Sequence, residues 1–151
     1  MNSQSKAKGS RAELAVRDIL RKHTGLEWER TPLSGALDAV HGLSGDVYIP
    51  REKNKYTIEV KHYKDCHINH LLLSAENHQI FLWWKQAERE AIENRNKPLL
   101  IFKHDRSKLY VAKAEFSFKE DINKLIIERK DNYLEIALLE EWLETKPEFI
   151  L

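Results

Sequence analysis

The alternation of apolar and polar residues predicts two neighbouring strands near the middle of the chain. Apolar side chains occupy every second position in GDVYIP (residues 45–50) and in much of KYTIEVKHYK (residues 55–64), the period of a half-buried strand. The polar residues REKN separate the two segments. A short polar turn between two such runs is typical of an antiparallel hairpin.

The same pattern predicts one long helix on each side of this hairpin. The first has an apolar stripe at helical spacing, made by Ala12, Ala15, Val16, Ile19 and Leu20. Ser10 is placed as its N-cap, and Gly25 follows its end. The second helix is predicted over residues 76–94 and ends before Lys97 and Pro98. Its apolar side carries Ile80, Trp84, Ala87 and Ala91.

Shorter segments complete a mixed α/β order. Further strands are predicted at residues 26–31, 98–104 and 108–113, a second hairpin at 124–138 and a short helix at 140–144. The order is therefore α-β-β-β-α-β-β, with a C-terminal hairpin and helix appended. We found no internal repeat and no low-complexity tract.

Length and composition indicate one domain with three parts. A chain of 151 residues, 42% of them hydrophobic, is large enough to bury one core. We expect residues 1–8 (MNSQSKAK) to form a flexible basic arm and residues 9–114 to form the core. Residues 115–151 are expected to form a C-terminal extension packed on the same domain.

Apolar runs and cysteine usage point to a cytoplasmic protein. No apolar run reaches the roughly 18 residues of a membrane span, and no leader with a basic start and a small-residue cleavage site is present. We therefore expect neither a membrane span nor a secretion signal. The single cysteine, Cys66, rules out an internal disulfide and suits a reducing compartment.

Charge is distributed unevenly, although the formal net charge is only +1. Residues 1–64 contain 12 Lys and Arg against 8 Asp and Glu, whereas residues 119–151 contain 5 against 9. A basic N-terminal part is compatible with a polyanionic partner at one surface. Charged faces are also commonly just solvated, so charge alone does not distinguish a polyanion-binding surface from an ordinary solvated one.

The first hairpin contains a candidate metal site. If Val47 and Ile58 pack on one face, alternation places Asp46, Glu59 and Lys61 on the other. Opposed Cβ atoms lie roughly 4.5 to 5.5 Å apart in an antiparallel pair, which is close enough for two carboxylates to share Mg²⁺. Two acids and a lysine around a hard cation form a site suited to phosphodiester hydrolysis. Lys61 could position a water or neutralise transition-state charge.

A simpler interpretation is a same-face ion pair between Glu59 and Lys61 on a solvated strand. Context favours the functional interpretation. The strand is predicted to be central and flanked by helices, where unpaired charges cost several kcal/mol and are kept mainly for function.

Four motifs in order resemble a known nuclease family. Gly45-Asp46 followed by Glu59-Val60-Lys61 matches the PD-(D/E)XK signature, with Gly45 where many members have proline. KGSRAEL (8–14), RTPLSGALD (30–38), GDVYI and IEVK together resemble archaeal-type Holliday junction resolvases and their phage and prophage relatives. The resemblance covers about residues 6–113. It implies a restriction-endonuclease-like fold, a central mixed β-sheet flanked by helices.

The resemblance also implies roles for individual residues. Glu13 matches the helical acid that completes the metal site, although the residues alone favour a surface pair between Glu13 and Arg17. Asp46 and Glu59 match metal ligands, Lys61 matches the catalytic lysine, and the Val60 carbonyl is a further ligand. Ser34 resembles a serine near the scissile phosphate; a local turn or cap is the alternative.

The basic residues around these motifs are candidate phosphate contacts: Lys6, Lys8, Arg11, Arg30 and Lys64. A junction is recognised by its shape and backbone, so no base-reading helix is required. Two features depart from the archaeal pattern. Leu14 replaces a basic residue after the helical acid, and the acidic tail from about residue 115 has no counterpart.

Two other groups of residues are not assigned to the site. His62, Cys66, His67 and His70 invite a zinc interpretation, but they lack the paired spacing of structural zinc sites. For Trp83 and Gln86 of the second long helix, we favour core or surface packing over contact with DNA or a partner subunit.

These observations predict a structure-selective DNA endonuclease that uses Mg²⁺, with Mn²⁺ as a substitute. We expect a homodimer that resolves four-way junctions in the cytoplasm of a bacterial or phage-infected cell. The alternatives are a related nuclease acting on flap or other branched DNA, and a catalytically silent DNA-binding or scaffold protein. The retained Glu13, Asp46, Glu59 and Lys61 count against the silent protein.

Overall fold

The computed structural model describes residues 3–32, 45–65, 67–73, 78–114, 118–119 and 121–151; the side chains of residues 3–7, 68 and 129 are not described. The helices are α1 (Ser3–Thr24), α2 (Ile68–Leu73), α3 (Gln79–Asn94) and α4 (Leu139–Glu144). The strands are β1 (Glu29–Arg30), β2 (Val47–Tyr48), β3 (Tyr56–Tyr63), β4 (Lys97–His104), β5 (Tyr110–Lys113), β6 (Leu125–Arg129) and β7 (Asn132–Leu138).

The strands form one seven-stranded mixed sheet in the order β1-β2-β3-β4-β5-β7-β6. β3 and β4 are parallel, and the other adjacent pairs of described strands are antiparallel. A parallel pair needs a crossover connection, and the segment containing α2 and α3 supplies it. The C-terminal hairpin, β6 and β7, extends the same sheet through β5.

Helices cover the two faces of the sheet and create two apolar layers. On one face, Ala12, Val16 and Leu20 of α1 pack with Val47 and Ile58 of the hairpin. On the other face, α3 buries an apolar stripe against β4, β5 and β7. The alternation predicted for the first hairpin is confirmed, because its apolar residues share one core layer. This arrangement is the predicted α/β restriction-endonuclease-like fold.

Two local predictions were wrong or incomplete. The first helix begins at Ser3 and not at Ser10, so residues 3–8 of the predicted arm lie within α1. Ala, Lys and Gln in this segment favour helix, and Gly9 costs about 1 kcal/mol relative to alanine without ending it. α2 was not predicted, because its six residues are too few to show a helical period.

Among the described residues, no helix is long and apolar enough to span a membrane.

Lys113 of β5 is buried among aromatic rings in the layer beneath α4. It is 8% exposed, and its Nζ lies 4.8 Å from the Trp142 ring centroid, 5.3 Å from Phe118 and 5.4 Å from Tyr56. Burial, followed by the charges of Lys55 and Lys97, lowers the pKa of Lys113 to about 8. The rings partly offset this effect because their faces favour a cation.

This shift predicts a pH dependence of stability. Between pH 8 and about 10 the unfolded chain binds more protons at Lys113 than the folded chain does, so raising the pH favours folding at this residue. From pH 7.5 to 10, the unfolding free energy of the wild type should gain about 1 to 3 kcal/mol relative to Lys113→Met. Urea unfolding of both proteins measures this difference; a constant difference across the range would contradict it.

Candidate active site

Asp46 is fixed against the main chain of β3. Val47 stands opposite Ile58, so the same register brings Asp46 level with Glu59. The Asp46 amide donates to the Ile58 carbonyl at 2.7 Å, and the Asp46 Oδ2 accepts from the Val60 amide at 2.7 Å. The Asp46 carboxylate is therefore held in place beside the strand that carries Glu59 and Lys61.

Gly45 permits this close approach of the two strands. Its φ is +73°, and a Cβ at this position would lie 2.6 Å from the Ile58 carbonyl oxygen and 2.8 Å from the Ile58 nitrogen. Proline fixes φ near −65° and cannot adopt this conformation. The glycine that replaces the proline of the motif is thus required by the local backbone.

We expect Gly45→Ala to destabilise the fold by about 2 to 4 kcal/mol, because positive φ and a backbone collision act together. Gly25→Ala is the matched control. Gly25 has a similar φ of +70° but no atom within 4 Å of its Cβ position, so it should cost only about 1 kcal/mol. Thermal unfolding of both variants gives the comparison, and equal losses would show that the contact with Ile58 is unimportant.

Glu59 is buried on the face of β3 that is covered by α3. It is 3% exposed, and Gln86 Nε2 lies 3.5 Å from its Oε2. Burial raises the pKa of Glu59 to about 11, and the neighbouring Glu90 and Asp46 carboxyl groups add to the effect. Burial also raises the pKa of Asp46. Several carboxyl groups therefore lie close together in the site, and the positive charge near them does not fully balance their negative charge.

Lys61 provides a positive charge shared by the carboxyl groups of the site. Its ammonium group opposes the rise in the pKa of Asp46, Glu59 and Glu13. Lys61 Nζ donates to Gln86 Oε1 at 3.1 Å, which ties the lysine to α3. The alternative of a solvated Glu59–Lys61 pair does not describe this site, because Glu59 is buried.

Glu13 lies on α1 at the edge of the same group. Burial, followed by the charge of Asp46, raises the pKa of Glu13. Arg30 Nε donates to Glu13 Oε2 at 2.7 Å, and this ion pair is partly buried. The alternative pairing with Arg17 is not observed, because Arg17 pairs with Asp18 at 2.9 Å.

The donor set suits a hard divalent cation. Within the described ranges, no group of three or more His, Cys, Asp or Glu side chains has the spacing of a formed metal site. The chemistry nevertheless fits Mg²⁺, which prefers carboxylate and carbonyl oxygens. Glu90 Oε2 is buried beside Glu59 and has no hydrogen-bond partner among the residues described. A proton on Glu59 or a nearby cation would relieve this crowding.

Gln86 and Glu90 belong to the site although sequence reasoning did not place them there. Gln86 Nε2 donates to Glu90 Oε1 at 3.3 Å, besides its contacts with Glu59 and Lys61. The spacing of the two residues in the sequence could have placed them there. Both residues follow Trp83 at helical spacing, so they are polar residues on the buried side of α3.

The predicted phosphate contacts are in several different environments. Lys8 Nζ pairs with Asp105 at 2.9 Å, and Arg30 is engaged by Glu13. Arg11 and Lys64 are exposed. The side chain of Lys6 lies outside the described residues. The structure thus leaves Arg11, within α1, and Lys64, after the end of β3, open to solvent.

Other predictions concern residues near this edge. Ser34 and Cys66 lie outside the described residues. His62 Nε2 lies 2.9 Å from Asp105 Oδ1 and does not join the carboxylate group. Trp83 packs in the core, as expected, but Gln86 lies beside Lys61 and Glu59 and so has more than a packing role.

Comparisons with known proteins show the family of this chain. The family described as "Phage putative PDDEXK endonuclease" matches residues 4–150. Protein D14 of Escherichia phage T5 is 41% identical over 150 residues, which cover 95% of this chain and 94% of that protein. No solved structure matches the chain. The family match extends through the C-terminal hairpin, so the segment that the archaeal pattern leaves unmatched is part of this family.

Proposed function

Because this chain belongs to a family of phage PD-(D/E)XK endonucleases, we propose that it is a Mg²⁺-dependent enzyme that cuts branched DNA, four-way junctions in particular. The observation that carries this proposal is that Asp46, immediately before β2, lies level with Glu59 of β3, with Lys61 one pleat beyond. Such a group of acids and one lysine is suited to phosphodiester hydrolysis.

Four groups would hold the metal: the carboxylates of Glu13, Asp46 and Glu59, and the Val60 carbonyl. A bound Mg²⁺ supplies a Lewis acid for the phosphoryl oxygen and lowers the pKa of a coordinated water. We expect Mn²⁺ to substitute, because it also accepts oxygen ligands in octahedral geometry.

The chain's own residues orient the reacting groups. The Val60 amide holds the Asp46 carboxylate, and Gln86 holds the Lys61 ammonium group on the same side as Glu59. Lys61 is placed to neutralise the negative charge that develops on the phosphate. Burial of Glu59 keeps water away from one side of the site, which strengthens these electrostatic interactions.

Exposed basic residues would guide the DNA backbone. Arg11 and Lys64 are available as phosphate contacts, whereas Lys8 and Arg30 would first exchange a carboxylate partner for a phosphate. We keep Lys6 as a further contact and Ser34 as a residue near the scissile phosphate. The modest net charge of +1 predicts weak, salt-sensitive binding to ordinary duplex DNA.

Symmetric resolution of a junction requires two incisions related by a twofold axis. The described part of the chain contains one such site, so we propose a C2 homodimer that presents two sites with the symmetry of the junction. Simultaneous engagement of two arms would then favour a junction over a linear duplex without stronger individual contacts.

The test is cleavage of a labelled four-way junction and a linear duplex of equal length, each with Mg²⁺ or EDTA. We expect paired incisions in the junction with Mg²⁺ and little cutting of the duplex. Light scattering on the same samples should show a dimer. A monomer that makes one cut in flap DNA would contradict junction resolution and support the flap-nuclease alternative. Equal cutting of the junction and the duplex would refute structure selectivity.

A further inference from the structure

A groove lined by aromatic and aliphatic side chains lies next to the candidate active site. Its volume is about 170 Å³, and its walls come from the ends of β3 and β4, the first turns of α3, and β6. Tyr63 lies against Trp83 with a ring-centroid distance of 4.5 Å. Phe102 lies 6.0 Å from Trp83 and 5.3 Å from Tyr110, which continues the aromatic wall.

The groove begins one pleat beyond the candidate catalytic residues of β3. Glu59, Lys61 and Tyr63 alternate onto the same face of β3, so Tyr63 lies roughly 7 Å beyond Lys61. Tyr63 and His104 are paired neighbours at the carboxyl ends of the parallel strands β3 and β4. Ligands of open α/β sheets bind outside such carboxyl ends.

We propose that this groove binds the base of an unpaired nucleotide next to the phosphate that is cut. The inference rests on the proposed nuclease function and supplies a physical basis for selecting branched DNA. A base inside a duplex is stacked on both faces and cannot enter a side groove without leaving its stack. Branch points and gaps provide such bases at lower cost.

The chemistry of the groove favours a base at its aromatic end, where Tyr63 lies against Trp83. The groove has a volume of about 170 Å³ and extends from β3 across β4, β5 and β7 to the edge strand β6. Aromatic side chains beside a positively charged path are the usual means of holding single-stranded nucleic acid. Lys103 and Asp65 both line this groove, and the exposed Lys64 follows Tyr63 outside the lining.

Tyr63 is the most direct residue to test, because 43% of it is exposed and its replacement should leave the core intact. The probe is a duplex with one unpaired 2-aminopurine, and the control is the same duplex fully paired; both are titrated in EDTA. Wild-type protein should change the fluorescence of the unpaired probe only. Tyr63→Leu should bind that probe about tenfold more weakly with unchanged affinity for the paired duplex, whereas Tyr63→Phe should behave as wild type.

A second pair of variants tests the opposite wall of the groove. Leu125 lines the groove and is 66% exposed, whereas its neighbour Ile126 is 55% exposed and does not line it. Leu125→Glu should weaken binding of the unpaired probe, because it places a negative charge at the far end of the same groove, on β6. Ile126→Glu adds the same charge to the same edge strand and should have a much smaller effect.

Several results would overturn the inference. Equal binding by Tyr63→Leu and Tyr63→Phe, or equal losses from the two glutamate variants, would show that the groove does not hold a base. A change of oligomeric state in Tyr63→Leu or Leu125→Glu, measured by light scattering, would assign the groove to contact between copies of the chain. If the protein cleaves DNA but binds the unpaired probe and the paired duplex alike, this inference alone is refuted. If it distinguishes the two but shows no Mg²⁺-dependent cleavage, the nuclease function alone is refuted.

Discussion

Asp46→Asn and Glu59→Gln should each reduce Mg²⁺-dependent DNA cleavage by roughly a thousandfold or more, while leaving DNA binding intact. Each change removes one negative charge from the proposed metal site and preserves the size of the side chain. The phosphate backbone should approach the neutralised site at least as easily as before. Binding measured in Ca²⁺ or EDTA should therefore equal or exceed that of the wild type.

Glu52→Gln is the matched control for this comparison. Glu52 is an exposed residue in the turn of the same hairpin, so its replacement makes the same chemical change away from the site. Single-turnover cleavage of a labelled junction measures the chemical step, and a filter or fluorescence assay measures binding. If either Asp46→Asn or Glu59→Gln cuts at a rate near that of Glu52→Gln, these carboxylates do not form the active site.

Lys61→Met should reduce cleavage by roughly a hundredfold to a thousandfold, because Lys61 places a positive charge beside both Asp46 and Glu59. Lys53→Met changes an exposed lysine of the same hairpin and should have little effect. Single-turnover rates at saturating protein separate this loss from weaker DNA binding. A Lys61→Met enzyme with the rate of Lys53→Met would remove Lys61 from the mechanism.

Gln86 is expected to act through Lys61, as a positioning residue. Gln86→Leu should lose about tenfold in rate, and adding it to Lys61→Met should cause little further loss. Such non-additivity distinguishes positioning of the lysine from a general loss of stability. Additive losses in the double variant would show that Gln86 acts independently of Lys61.

The first hairpin shows how far periodicity alone defines this site. Alternation placed Val47 and Ile58 in the core and put Glu59 on the opposite face, and the observed register brings Asp46 level with Glu59. These features follow from the two-residue period of a strand, so they can be predicted from the sequence. The pairing of Lys61 with Gln86 depends on how α3 crosses the sheet, which no local pattern describes.

Other features were beyond sequence reasoning for different physical reasons. Arg30 resembles a free phosphate contact in the sequence but forms an ion pair with Glu13 across 17 positions. Glu90 resembles one more charged residue of an exposed helix until α3 is packed against Glu59. The early start of α1 reflects the weak cost of Gly9 within a favourable helical segment. Long-range packing, and not local propensity, determines the partner of Arg30 and the position of Glu90.

Metal removal and replacement test the central claim most directly. Wild-type protein is treated with EDTA and dialysed, and single-turnover cleavage of a four-way junction is measured as Mg²⁺, Mn²⁺ or Ca²⁺ is added back. We expect no cleavage without metal, recovery with Mg²⁺ or Mn²⁺, and no recovery when the same additions are made to Asp46→Asn. Cleavage by the wild type that continues undiminished in EDTA would contradict it.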